Sequence, residues 1–512
     1  AQTLCTSLLF AKSSAGVFPW RTLRFLFGKQ CADNLVGHFR NHAVIGGLAV
    51  DFFQGRVQCT GFGKLLGGRI HERIAAFFGK PVFGAAWRKA FGVKKAAEVD
   101  DLIRSFRPIQ GGAVGVVFSL MAVIQAVGFM LGHGSGTSVS FALGQKEAER
   151  ATTYASTGFF LALACGSVIC AAGLWQLSRL MRLLGSTHSI LPYARDYGCW
   201  ILLAAPLMAA SCVLNVVLRY EGKALFAMYG LGVGALLNMA GDPFFMFYLG
   251  LGIRGAGIST ALSQTVSFGV LLVPFLTGRT QCRLTLRAVL MRADVLPRIL
   301  KNGLPSLMRQ GLMSVSSMLF NHRAALYGDA AVAAVSIVMR INAFLLSLII
   351  GIGQGMQPVT GFNRSAGYNR RVKEAFAFTT FLGECIVAVL ALACFFGSDR
   401  ILVHFTPEES ILVIARPMLK IQSVTLLLGP LTVYANQLLQ SVGESWYATC
   451  LSALRSGLCL VPVLLVLSGN WGLSGIQVAQ PIADGITFLI SMPILRAFLR
   501  RMAQEPENRS DG

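Results

Sequence analysis

The chain has 512 residues, of which 54% are hydrophobic and only 13% are charged. Soluble globular domains carry about a quarter charged residues, so this composition excludes a soluble fold and is typical of a polytopic membrane protein made of apolar α-helices. Lysine and arginine outnumber aspartate and glutamate, 45 to 23. In a soluble protein this excess would indicate nucleic-acid binding. Here the basic residues gather in short loops, so we expect the lipid bilayer as partner and no nucleic acid.

The 12 cysteines are scattered along the chain, with no Cys-x-x-Cys pair and no histidine at ligand spacing. This pattern supports neither a metal site nor a disulfide framework. No nucleophile or phosphate-binding motif stands in a plausible context either, so the sequence predicts neither an enzyme nor a cofactor.

Residues 1–112 differ from the rest of the chain because they are basic and rich in Gly and Phe, with no uninterrupted apolar run of about 18 residues. We expect this segment to lie outside the membrane core and to be loosely ordered. From Gly115 onward the hydropathy pattern becomes regular and predicts eleven spans. The predicted spans are residues 115–142, 152–177, 192–218, 225–249, 254–277, 303–327, 330–361, 375–396, 411–440, 446–467 and 474–498.

Three landmarks recur in the same order at offsets of 219 to 221 residues: Gly132–Gly136 and Gly351–Gly355, Asn215 and Asn436, Gly252 and Gly472. The sequence therefore predicts two pseudo-symmetric helical bundles of the same topology, each with an even number of spans. The second bundle, residues 291–502, holds six spans, and the first, residues 113–290, shows five. Residues 503–512 form a polar tail.

The counterpart of the missing span falls at residues 84–108, which carry too many charges to cross hydrocarbon. The first helix of the first bundle is therefore predicted to be absent or replaced. We expect its absence to leave a groove beside Asp242, which would admit water or lipid and weaken transport.

Asn238 and Asp242 lie one helical turn apart inside an apolar run. A carboxylate at membrane depth costs about 2.5 to 3.5 kcal/mol by insertion scales, so a retained one usually has a use. The alternative is that Asp242-Pro243 marks a helix end, where the carboxylate caps the helix and proline breaks it.

Basic residues alternate between the two sides of the predicted bundle. The richer set predicts a cytoplasmic side, together with a cytoplasmic C-terminus. It consists of Lys146, Arg150, Arg219, Lys223, the arginines of residues 279–298, Lys301, Arg364, Arg370, Arg371, Lys373, Arg496, Arg500 and Arg501.

Other polar residues within the spans are candidates for a substrate cavity. Arg309 fits an arginine that extends toward the membrane surface better than a ligand. Gln354 and Gln357 precede Pro358 in what reads as a broken helix, where freed backbone groups must line a cavity or find partners. The other candidates are Asn321, Arg340, Asn342, Glu384 and Met121, each weighed against a structural role in helix packing.

Several motifs together resemble the multidrug and toxic compound extrusion (MATE) transporters, on their DinF/MepA-like prokaryotic branch. They are Gly115–Met121, Gly132–Gly136, Leu218–Gly222, Leu236–Pro243, Gly250–Ala261, Gly303–Ser306, Gln354–Pro358 and Gln480–Asp484. The resemblance covers roughly residues 113–500. It implies two six-helix bundles around a central cavity that opens alternately to each side of the plasma membrane. It also implies export of cationic or amphipathic drugs in exchange for Na⁺ or H⁺, and we expect a monomer.

The resemblance further implies a cation site in the first bundle. In the family this site combines an Asp on the first helix with an Asn, an Asp and a Thr, which match Asn238, Asp242 and Thr260. The first-helix Asp has no counterpart here. Cation coupling in the second bundle is not expected, because its first helix has no acidic residue. Two alternatives stay open: a flippase of lipid-linked precursors from the same superfamily, and an inactive, truncated or misassembled transporter.

Overall fold

The computed structural model describes residues 108–289 and 294–505. Every regular element in those ranges is a helix, which confirms the predicted all-α fold. The α-helices are α1 (Pro108–Gly144), α2 (Ala148–Trp175), α3 (Leu177–Leu183), α4 (Leu191–Tyr220), α5 (Ala224–Pro243), α6 (Gly252–Leu276), α7 (Leu286–Val289), α8 (Val295–Ala325), α9 (Asp329–Ser365), α10 (Asn369–Phe396), α11 (Ser398–Phe405), α12 (Glu409–Thr425), α13 (Gly429–Ser441), α14 (Ser445–Ala453), α15 (Leu460–Asn470) and α16 (Gly472–Gln504). Two π-helical segments, Phe244–Tyr248 and Leu454–Leu458, and a 3₁₀ turn, Leu426–Leu428, join neighbouring helices.

Ten helices of the described ranges are long and apolar enough to cross a membrane, as a multi-pass membrane protein requires. The sequence predicts eleven spans, and all eleven segments are helical. The helix that does not reach the required hydropathy is α8, which spans 31 residues but carries Arg298, Asn302 and Arg309. These polar residues are tolerated because α8 packs between the two halves of the chain.

Buried hydrophobic residues form two clusters, one from Ala113 to Ile299 and one from Phe320 to Met502. Each half of the repeat thus has its own core, as two bundles require. The start of α8, with Val295 and Ile299, belongs to the core of the first bundle and packs mainly against α1. The predictions for residues 1–107, and for the junction at residues 290–293, lie outside the described residues.

The internal repeat is visible in matching hydrogen bonds. Asn215 Nδ2 donates to the carbonyl oxygen of Ala227 at 3.2 Å, and Asn436 Nδ2 donates to that of Ala448 at 2.6 Å. Each acceptor lies 12 residues beyond its asparagine. The turns that follow each contain a glycine with positive φ, +77° and +84°: Gly222 and Gly443. The repeated landmarks therefore mark the same turn between helices in both bundles.

The bundles touch at one end, where α1, α4 and α9 finish and α8 begins. We call it the basic end, because the loops rich in Lys and Arg lie there. A Cβ atom at Gly134 of α1 would lie 2.0 Å from the carbonyl oxygen of Ile299, and one at Gly303 of α8 would lie 2.0 Å from that of Met130. Two helix backbones approach this closely only where glycine leaves room.

Hydrogen bonds join the bundles beside this backbone contact. Asn302 Nδ2 donates to Ser138 Oγ at 3.2 Å, and Ser140 Oγ donates to the carbonyl oxygen of Pro358 at 3.3 Å. Ser445 in turn donates to Asn302 Oδ1 and holds its amide in place. The bundles are therefore closed against each other at the basic end.

Replacing Gly303 by leucine should prevent this closure, because the new side chain meets the backbone of α1 rather than a movable side chain. We expect Gly303→Leu to lengthen the distance across the basic end. Electron spin-label distances between cysteines at the exposed positions Gln145 and Arg371, in a chain without other cysteines, measure this change. Gly311→Leu is the matched control, since a Cβ at Gly311 meets nothing within 4 Å. Equal distances in both variants would show that the glycine contact does not set the closure.

Candidate functional site

Glycines on one face of α5 bring α6 unusually close. A Cβ at Gly234 would lie 2.8 Å from Ser267 Cβ, and one at Gly241 would lie 2.6 Å from Ser259 Oγ. These positions are seven residues apart, two helical turns on one face. The close approach places the hydroxyl groups of α6 directly against the polar pair of α5.

The structure brings together Asn238, Asp242 and Thr260. Asn238 Nδ2 donates to Asp242 Oδ1 at 3.1 Å and to Thr260 Oγ1 at 3.2 Å. The hydroxyl groups of Tyr197 and Thr260 lie 3.5 Å apart, and Ser259 lies within hydrogen-bonding reach of the carboxylate. One amide thus bridges the carboxylate and the hydroxyl, inside the first bundle.

Asp242 has no basic partner among the described residues. In the second bundle, by contrast, the carboxylate of Asp484 lies 3.5 Å from Nε of Arg455. A carboxylate inside a membrane bundle needs a counter-charge or a proton. Asp484 has its counter-charge built into the chain, whereas Asp242 is left to take one from outside.

Oxygen atoms of a carboxylate, an amide and a hydroxyl are the ligands that hard cations prefer. Asp242 and Thr260 supply two of them. Asn238 would supply a third if its amide turned to present Oδ1 in place of Nδ2. The same carboxylate can instead accept a proton. The chemistry of this group of residues thus suits a small cation or a proton.

The predicted cavity residues do not gather at one place. Gln354 accepts a hydrogen bond from Arg219 in the other bundle, and Gln357 is buried with both side-chain polar atoms unpaired among the described residues. Glu384 lies near Tyr434 inside the second bundle. Met121 packs at the edge of the first core. The remaining three are half-buried on α8 and α9: Asn321, Arg340 and Asn342.

Two expectations from the sequence are wrong. Arg219 was grouped with the loop residues that set orientation, but it lies within α4 and donates from Nη1 to Gln354 Oε1 at 2.6 Å. Its position directly after the apolar run Val216–Leu218 could have indicated this. The helix expected to break before Pro358 is continuous, because α9 runs from Asp329 to Ser365.

Glu221 holds the loop after α6. Its carboxylate accepts hydrogen bonds from the backbone N–H groups of Gln281 at 3.0 Å and Cys282 at 3.1 Å. Burial raises the pKa of Glu221 above its ordinary value, although the two donors oppose this shift. The turn after α4 is thereby tied to the segment that leads toward the second bundle.

The family model described as MatE matches residues 108–244 and 305–466, more than half of the chain. The chain belongs to the MatE family. Two curated relatives, both described as multidrug export protein MepA, each align over 400 residues, 78% of this chain and 88% of the relative. The protein from Staphylococcus saprophyticus is 26% identical, and that from Staphylococcus aureus strain MRSA252 is 24% identical.

Solved MATE structures share the fold. An outward-facing multidrug resistance MATE family transporter of the MOP superfamily matches with a TM-score of 0.75 and 24% identity, covering 80% of this chain and 92% of that one. A MOP superfamily transporter from Pyrococcus furiosus matches with a TM-score of 0.74 and 22% identity, covering 88% and 100%. The paired helical bundles of this MatE chain are thus those of the solved transporters.

The close packing of α5 on α6 can be tested through stability. Gly234→Leu should lower the free energy of unfolding by about 1–3 kcal/mol, because the added side chain overlaps Ser267. Gly232→Leu on the same helix is the control, since a Cβ there meets nothing within 4 Å. Thermal denaturation of both variants in one detergent measures the difference. Equal melting temperatures would contradict the packing described.

Proposed function

We propose that this MatE chain is a cation-coupled antiporter that exports cationic or amphipathic small molecules across the plasma membrane. The observation that carries the proposal is the contact of Asn238, Asp242 and Thr260 inside the first bundle, with no basic residue paired to Asp242. The description of the relatives as multidrug export proteins supports the direction and class of transport.

The positive-inside rule makes the basic end cytoplasmic, together with the end of α16. The bundles are closed there, so this conformation opens toward the outside. Transport needs a second conformation in which the basic end separates. A cation or proton on Asp242 that stabilises one conformation, and a substrate that stabilises the other, would exchange by linkage.

Asp242 is the residue on which coupling depends. Asp242→Asn resembles the protonated side chain in shape but can neither release a proton nor attract Na⁺ by charge. We expect gradient-driven efflux of a cationic dye such as ethidium from proteoliposomes to fall to the level of empty vesicles. Asp196→Asn, an exposed aspartate on α4, should leave efflux unchanged. Full efflux in Asp242→Asn would remove this residue from the mechanism.

Thr260 separates the two possible coupling ions. Thr260→Val keeps the shape of the side chain but removes an oxygen that could bind Na⁺. We expect dye efflux driven by a Na⁺ gradient to be lost and efflux driven by a proton gradient to persist. Both gradients are imposed separately on the same vesicles. If the two activities fall together, Thr260 acts by positioning Asn238 and not as an ion ligand.

A further inference from the structure

Two arginines face the surface on which the bundles meet, and the coupling mechanism uses neither. Arg219 comes from α4 of the first bundle and Arg309 from α8 of the second. Arg219 donates from Nη1 to Gln354 across the bundles, while its Nε is buried without a partner among the described residues. Part of the guanidinium group is thus left free to bind something else.

The contacts place Arg219 at the upper edge of the closed region. Gln354 lies one turn before Pro358, on the side away from the basic end. It is eleven residues from Ser365, where α9 ends, which corresponds to about 16 Å along a helix. The guanidinium group that contacts Gln354 is therefore well inside the membrane, above the hydrogen bonds that close the basic end.

Arg309 reaches the same region from the second bundle. It follows Asn302 by seven residues on α8, and Asn302 bonds to Ser138 of the first bundle, so Arg309 shares the face that looks toward that bundle. Its charge and that of Arg219 both act on the buried ring of His133 and on Tyr220. The two guanidinium groups and the imidazole thus converge beneath the outward opening.

The negative charges lie elsewhere. The groups that act on Arg219 are Tyr220 and Cys212, and no carboxylate of the described residues is among them. Asp242 acts on Tyr197 inside the first bundle, and Glu384 acts on Tyr434 inside the second. The space between the bundles is therefore positive at this level. Like charges held close together at membrane depth are costly unless an anion joins them.

We propose that Arg219, Arg309 and His133 form a binding site for an anionic group, a carboxylate, sulfonate or phosphate, carried by an amphipathic molecule. The inference rests on the proposed transport function and narrows its substrates to anionic or zwitterionic amphipaths. The guanidinium fork of Arg219 binds such a group through two parallel N–H donors, one of which is the free Nε.

The site also changes with conformation. An anion between Arg219 and Arg309 attracts both bundles and stabilises the closed basic end. When the bundles separate at that end, the two arginines move apart and the anion keeps only one of them. The bound group would thus be held more tightly in the outward-open conformation, so binding is linked to the same motion as the cation.

Two probes that differ in one charged group test the site. These are 8-anilinonaphthalene-1-sulfonate and N-phenyl-1-naphthylamine, which lacks the sulfonate. Binding is measured by fluorescence on the full chain in phosphatidylcholine nanodiscs without any ion gradient. We expect Arg219→Gln to weaken sulfonate binding about tenfold or more, the loss of a charged hydrogen bond, and to leave the neutral probe unchanged. Arg219→Lys should restore part of the sulfonate affinity.

Arg195→Gln, an exposed arginine at the opposite end of α4, is the control and should bind both probes as the parent does. Competition by added phosphatidylglycerol would identify a lipid headgroup as the anion, and its absence a free solute. Sulfonate binding that is equal in Arg219→Gln and parent would overturn the inference, whatever the dye efflux. Selective sulfonate binding without cation-driven efflux would instead uphold the site and refute the antiport.

Discussion

The backbone contact between α1 and α8 is the constraint on which the rest of the structure depends. Gly134 and Gly303 let each helix touch a carbonyl oxygen of the other, so the bundles meet without side chains between them. Polar groups at the basic end can then reach across, as Asn302 does to Ser138. Because the bundles are held together at one end, the other end is where a solute can enter.

Charge is distributed according to this arrangement. The carboxylates of Asp242 and Asp484 lie inside separate bundles, where neighbouring helices supply partners. Arg219 and Arg309 lie on the surface between the bundles. A bundle interior keeps its shape as the bundles move, whereas the surface between them does not. Groups that must stay together are therefore in the first place, and groups that must part are in the second.

The sequence predicts much of this fold, because helix spans and repeats depend on local pattern. The spacing of Asn238 and Asp242 placed them on one helix face, and the family resemblance added Thr260. The sequence does not show that α8 lies between the bundles, since its polar residues find partners only in another part of the chain. The role of Arg219 was missed for the same reason, because its acceptor Gln354 is 135 residues away.

The hydrogen bond from Arg219 to Gln354 is made once, although the chain contains a repeat. At the equivalent positions, Gln440 donates to Ser306 within its own bundle, and Ser135 donates to a carbonyl of its own helix. Two identical subunits around a twofold axis would make every such contact twice, with the same residues. Joining the halves in one chain removes that restriction, so one copy can evolve as the donor and the other as the acceptor.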